Sequence, residues 1–185
     1  MTDNPVARTD RLVLRPWRHD EVELMYDLYR RQEVWRWLGA QPAPPASVEA
    51  MHATVDRWAA RAEGPYGVWA VVPVAVGAPV GTVLLVPLPD AHGRPTADVE
   101  VGWHLHPDHW GHGYATEAAR ALLERAWDAG LPEVYAVVHP ANERSVAVTR
   151  RLGMAPIGLT DRWYGIELAA FRATAPSPPS RPTVR

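Results

Sequence analysis

The chain has 185 residues, of which 47% are hydrophobic and 22% charged, which suits one soluble domain with a sizeable core. A net charge of −2 and a pI near 6.4 argue against a nucleic-acid partner and against binding to an anionic membrane surface. The absence of cysteine removes disulfides, thiolate nucleophiles and Cys-type zinc sites.

In chain order, "MTDNPVARTD" lacks the basic-then-apolar plan of a signal peptide, so a cytoplasmic protein with a flexible start over 1–9 is expected. "RLVLRPW" (11–17) alternates apolar and polar residues and predicts a strand. "HDEVELMYDLYRRQ" predicts a helix with Asp20 as N-cap, Glu23 closing a capping box, and Val22, Met25 and Tyr29 on one stripe. A Pro-rich loop over 33–45 follows, exposing Trp35 and Trp37. A second helix, capped by Ser47, presents Val48, Met51, Val55, Trp58 and Ala62 on one face.

Residues 65–89 carry no charge, a run long enough to raise a membrane span. Pro73, Gly77, Pro79, Gly81 and Pro87 punctuate it, however, so two buried strands, 66–74 and 80–88, are expected instead. "ADVEVGWHLHP" (97–107) alternates strictly and predicts another strand. The helix over 113–129 stops at Gly130-Leu131-Pro132; Ala115, Ala118, Ala119, Leu122, Leu123, Ala126 and Trp127 face inward, and Glu117, Arg120, Glu124 and Asp128 face solvent. "EVYAVVH" is a strand, and "NERSVAVTRRLG" a helix capped by Asn142 and closed by Gly153. "APIGLT" and "GIELAAFRAT" are the last strands, and the Pro/Ser-rich residues 174–185 are expected to be disordered. The expected fold class is α/β (α+β), with a mixed, mostly antiparallel sheet of six to seven strands and about four helices on its faces.

Gly111 and Gly113 stand between a strand and a strong helix. The first N–H groups of a helix lack internal partners, and the helix dipole favours negative charge there. Glycines let an anion approach that backbone, so the pattern predicts a phosphate site. The dinucleotide fingerprint does not fit: there is no third glycine, and Glu133 precedes its strand rather than following it. A P-loop needs a lysine, and this chain has none.

From Arg11 to about Phe171 the chain resembles the GNAT superfamily of N-acetyltransferases, in particular the branch of ribosomal-protein N-terminal (alanine/serine) acetyltransferases. Three marks in order carry the resemblance: "TDRLVLRPW", "WGHGYATEA" and "NERSVAVTRRLGM". The family's loop reads Gln/Arg-x-x-Gly-x-Gly/Ala; here Gly113 and Ala115 hold the small positions, and Trp110 departs from Gln/Arg. The resemblance implies one acetyltransferase domain over 10–173, acetyl-CoA as co-substrate, no metal, and an amine acceptor on a protein N-terminus or a small molecule. Homodimers are common among the relatives. It places the coenzyme against Trp103, His104 and Leu105, then on Trp110, Gly111, His112, Gly113, Tyr114, Ala115 and Thr116, with Asn142 and Ser145 beside it.

Acetyl transfer to an amine needs a base for the ammonium, a polarised carbonyl and a proton for the departing thiolate. Glu100 and His104 share one strand face, roughly 13 Å apart. The resemblance makes Glu100 the first choice of base and His104 a second base or water relay. Ser145 matches the position from which relatives protonate the thiolate, ahead of Tyr114 and Tyr164. Among nine tryptophans, Trp35, Trp37 and Trp163, with Tyr164 and Glu100, are the candidates to line the acceptor pocket, between loop 33–45 and the strands after 154. Such a wall suits a cationic amine.

His104, His106, His109 and His112 lie within nine residues of each other, with Asp108 among them. A His-x-His pair on one strand face is a zinc-binding pattern, so a metal-dependent enzyme is the rival reading. That reading leaves the glycines and the Asn142–Ser145 helix start without a purpose. A non-catalytic acyl-CoA-binding module is a third, and the presence of both Glu100 and Ser145 counts against it.

Overall fold

The structure is a computed structural model and describes residues 5–176. Its centre is set by the charge-free run. In β3 (Gly67–Pro73), Trp69 and Val71 enter one hydrophobic cluster while Ala70 and Val72 enter another. A strand that is apolar on both faces has to be covered on both, which gives a sheet between two helical layers. The run is therefore β3 and β4 (Gly81–Pro89), paired antiparallel. No helix among the described residues is long and apolar enough to cross a membrane.

One sheet of eight strands has the order β1-β2-β3-β4-β5-β6-β8-β7. The others are β1 (Ala7–Arg8), β2 (Leu12–Arg15), β5 (Pro95–Leu105), β6 (Glu133–Val138), β7 (Ala155–Thr160) and β8 (Leu168–Thr174). Every neighbouring pair is antiparallel except β5 and β6. The mixed, mostly antiparallel class is as expected, but the count is eight strands rather than six to seven. The extra strand, β1, lies within the segment expected to be flexible and is held by pairing Ala7 with Leu14; two residues are too few to show a period. Residues 1–4 and 177–185 of the two terminal segments lie outside the described residues, and Thr174 closes β8.

On one face, α1 (Val22–Tyr29) and α3 (Val48–Ala60) bury Val22, Met25, Leu28, Tyr29, Met51 and Val55. On the other, α4 (Tyr114–Asp128) packs Ala118, Ala119, Leu122, Leu123 and Ala126 against β2 to β5, with α5 (Glu143–Arg151) beside it. A single turn, α2 (Gln32–Trp35), interrupts the expected Pro-rich loop and brings the helices to five. Ser47 caps α3 as expected, accepting from the Ala50 N–H at 3.3 Å, whereas Ala62 lies past the end of that helix and is exposed.

The start of α1 differs from expectation. A 3₁₀ turn, His19–Glu21, precedes it, and the capping carboxylate is Glu21 rather than Asp20 or Glu23: it accepts from the Arg18 N–H at 3.1 Å. Glu21 also forms a two-point ion pair with Arg15, with Nη1 at 2.8 Å from one oxygen and Nη2 on the other. The two residues are 8% and 7% exposed. Removing one partner of a buried pair strands the other charge, so Glu21→Gln is expected to destabilise the fold by about 3 kcal/mol. Urea unfolding should show a lower midpoint at unchanged m-value; a loss below about 1 kcal/mol would mean that water already screens the pair.

Candidate functional site

β5 pairs with β4 from Val99 to Leu105 and again, past a register shift, at Pro95, but meets β6 at one register position, Glu100 opposite Tyr135. β6 stays with β8 through Val138. Beyond Glu100 the two parallel strands therefore part. The His106 N–H bonds to the Val80 carbonyl on the β4 side at 2.9 Å. By alternation, the backbone groups of His104 and Gly102 also face β4, and those of Trp103 and Leu105 face the gap. The Trp110 indole N–H takes the Leu105 carbonyl at 2.8 Å, which leaves the Trp103 groups for a ligand. A cavity of about 1010 Å³ fills this fork and continues under α1 and α2.

At the open end of the fork α4 begins. Gly111 and Gly113 have φ of +82° and +81°, a left-handed conformation that glycine adopts without strain. Gly113 is the N-cap and supplies no side-chain cap, so the first-turn N–H groups of Tyr114, Ala115 and Thr116 stay unpaired beside the cavity. Arg11 braces the turn: Nη1 donates to the His112 carbonyl at 3.1 Å, and Nε donates to Glu117 at 2.8 Å. Thr9 also donates to Glu117. Glu117, expected in solvent, is thus the anchor that ties the first two strands to the glycine turn. Trp110 takes part as well, because the Arg144 guanidinium of α5 lies over its ring at 4.3 Å. Arg144 and Arg151 add positive charge to the same wall. Asn142 caps α5, its Oδ1 accepting from the Ser145 N–H at 3.2 Å.

At the pivot sits Glu100, 9% exposed, accepting a 2.7 Å hydrogen bond from the Tyr164 hydroxyl at Oε2. Burial lifts its carboxyl to about 7, and the Tyr164 hydrogen bond opposes part of that rise. Burial and the neighbouring carboxylate drive the Tyr164 hydroxyl far above its ordinary range, so it remains a donor. Tyr164 has φ of +61°, alone among the described non-glycine residues in the left-handed region. Gly165 follows at φ +65°, where a Cβ would stand 2.8 Å from the Ala91 carbonyl oxygen. Asp98 fastens this loop, accepting from Arg162 Nη2 at 2.7 Å and from the Trp163 indole at 3.0 Å. His104 Nδ1 lies 3.0 Å from the Tyr29 hydroxyl, and burial lowers its imidazole to about 4, so it is neutral at physiological pH.

The cavity brings together Glu100, Trp103, His104, Leu105, Trp110, Gly111, Gly113, Tyr114, Ala115, Thr116, Asn142, Ser145, Trp37 and Tyr164. Three expected members lie outside its wall. His112 turns back, its Nδ1 at 3.0 Å from the Trp110 carbonyl and its ring stacked on Tyr114. Trp35 does not reach the cavity. Trp163, 2% exposed, packs with Leu88 and Tyr135 and gives its N–H to Asp98. Tyr29, Trp58, Arg36, His139 and Arg144 line the cavity without having been singled out. Tyr29 and Trp58 were visible only as apolar-stripe members of helices. Arg36 lies over Trp37 at 4.2 Å, and Trp37 meets His139 across the mouth with ring centroids 5.1 Å apart.

The four histidines of 104–112 do not converge. His104 goes to Tyr29, His106 to Asp27 at 3.0 Å, His109 to the His106 ring, and His112 to Tyr114. Among the described residues no three His, Asp or Glu side chains are grouped to hold a metal ion.

The Tyr164 hydrogen bond favours the ionised form of Glu100. Tyr164→Phe is therefore expected to move the Glu100 titration above its value of about 7, as followed by carboxyl-carbon NMR on Glu-labelled protein. An unmoved titration would mean that burial alone sets it.

Residues 11–155 match the family described as "Acetyltransferase (GNAT) domain". The chain is 27% identical over 157 residues to the uncharacterized N-acetyltransferase YoaA of Bacillus subtilis, covering 84% of this chain and 85% of that protein. It is 32% identical over 161 residues to the FsC-acetyl coenzyme A-N(2)-transacetylase of Aspergillus fumigatus, covering 84% of this chain and 65% of that one. The crystal structure of the ribosomal-protein α-N acetyltransferase RimL in complex with coenzyme A shares the fold, with a TM-score of 0.75 over 93% of this chain and 98% of its own, at 15% identity. With the family domain spanning most of a single sheet and its forked site, this chain belongs to the GNAT acetyltransferase family.

Proposed function

We propose that this chain transfers the acetyl group of acetyl-CoA to a primary amine, on a protein N-terminus or a small molecule, with both substrates bound at once. The observation that carries this reading is the fork itself. It has free β5 backbone beyond Glu100, an uncapped glycine-led helix start at one end, and a buried carboxyl poised near neutrality at the other.

Bound acetyl-CoA supplies an activated thioester carbonyl. The chain's groups do the rest. The first-turn N–H groups of α4, with Arg144 and Arg151, receive the phosphates. The Trp103 backbone in the gap takes the amides of an extended arm. Glu100, partly ionised near neutral pH, removes a proton from the acceptor's ammonium, directly or through water. Ser145, in the same wall, returns a proton to the departing thiolate. Tyr29, Trp37 and Trp58, with Glu33 and Glu100, surround the acceptor end and attract a cation before it is deprotonated. Among the similar proteins, RimL is by its description a protein α-amine acetyltransferase, in keeping with an amine acceptor.

Calorimetric titration of metal-stripped protein with acetyl-CoA is expected to show one-site binding. Gly113→Val, which forces a β-branched residue to φ +81° and fills the anion approach, should weaken that binding at least about tenfold. Stoichiometric zinc uptake without acetyl-CoA binding would instead return the histidines to the centre of the question. On an amine acceptor found by screening, Glu100→Gln should lower kcat about 100-fold while acetyl-CoA affinity stays near that of the parent. The parent's kcat/KM should rise with pH through about 7 as Glu100 ionises. Unchanged turnover in Glu100→Gln would remove this carboxyl from the mechanism.

A further inference from the structure

Behind His104 stands the Tyr29 hydroxyl, 3.0 Å from Nδ1. Tyr29 is 9% exposed, so its hydroxyl proton needs an acceptor, and His104 Nδ1 is the acceptor within hydrogen-bond distance. An accepting Nδ1 carries no proton, so the neutral imidazole carries its proton on Nε2. Nε2 has no hydrogen-bond partner among the described residues and is not sealed off from solvent; it opens into the cavity that the ring lines.

The direction matters for the reaction. A base or a proton relay needs a lone pair facing the substrate, and the Tyr29 hydroxyl takes up the only lone pair of this ring on the protein side. What faces the cavity is an N–H. The ring also shares its strand face with Glu100, the face covered by α1 and α3, whereas the coenzyme slot lies in the plane of the sheet between β5 and β6. Resting on the acetyl-transfer reading above, we propose that His104 is a fixed hydrogen-bond donor, through Nε2–H, to an oxygen of the bound amine acceptor, and that Tyr29 is the positioning residue that locks this tautomer. The acceptor class narrows accordingly to amines that carry a carbonyl, carboxylate or hydroxyl oxygen at a distance from the nitrogen. A plain alkylamine leaves the donor unused.

Nitrogen-15 NMR of histidine-labelled protein, with His104→Gln to assign the ring, reads the tautomer directly. A protonated Nε2 and a bare Nδ1 are expected, and Tyr29→Phe should collapse this into a mixture of tautomers. A proton on Nδ1, or no change in Tyr29→Phe, would overturn the lock. Because this spectrum needs no substrate, it decides the tautomer independently of whether acetyl transfer is the reaction. The donor role is tested by kinetics on the best amine from the acceptor screen. His104→Ala should raise KM about tenfold with kcat less affected, and His104→Gln, which keeps an N–H near the Nε2 position but cannot act as a base, should recover most of that loss. Equal collapse of kcat in both variants, with a changed pH profile, would make His104 a base and sink the proposal.

Discussion

The organisation of this molecule depends on one strand pairing that stops early. β5 is bound to β4 throughout Val99–Leu105 and β6 to β8 over its full length, yet the two meet only where Glu100 faces Tyr135. Two halves of a sheet joined at a single point must open beyond it. The opening exposes strand backbone that elsewhere in the sheet would be satisfied, and exposed backbone donors and acceptors in a buried place demand a ligand or water. The residue at the joint is also buried, because strands close on it from both sides. The same geometry that opens a slot between the strands therefore desolvates a carboxyl at its inner end and raises its pKa.

The charge at the outer end follows from connectivity. β5 and β6 are the one parallel pair, and a parallel pair needs a crossover helix between its strands. That helix, α4, starts just past the carboxyl end of β5, and α5 starts just past that of β6. Both N-termini thus open beside the fork, as ligand sites at strand carboxyl ends do in other α/β sheets. The Arg11–Glu117 pair keeps the α4 start in place. With the Arg11 side chain 54% exposed, its Coulomb energy is screened and its value lies in fixing the position of the glycine turn rather than in adding stability.

Much of this was legible in the residues. Strict alternation over 97–107 put Glu100 and His104 on one face, and the glycines ahead of an Ala/Leu stripe marked the helix start. What was not legible depended on contacts far apart in sequence. Nine tryptophans look alike in one dimension; Trp58 faces the cavity while Trp163 is turned inward by Asp98, 65 positions away. The cap of α1 was misplaced because a 3₁₀ turn shifts it by one helical step, and because the buried Arg15 recruits Glu21 in preference to the exposed Glu23. His104 is legible as a candidate, but its Nδ1 partner, Tyr29, sits on another element 75 positions away.

Tyr164 shows why such a site tolerates local strain. A tyrosine at φ +61° costs of the order of 1 kcal/mol, and the chain holds it there with a glycine that no other residue could replace beside Ala91, and with Asp98 gripping both Arg162 and Trp163. Two opposed effects meet at Glu100: burial, which pushes its proton affinity up, and the tyrosine hydroxyl, which pulls it down. An exposed glutamate would hold its proton less tightly, and a buried one without a donor more tightly. A base works best when its affinity lies near the working pH. The strained loop at 161–165 brings a donor that the strands alone do not supply, and so allows the joint of the sheet to be both dry and ionisable.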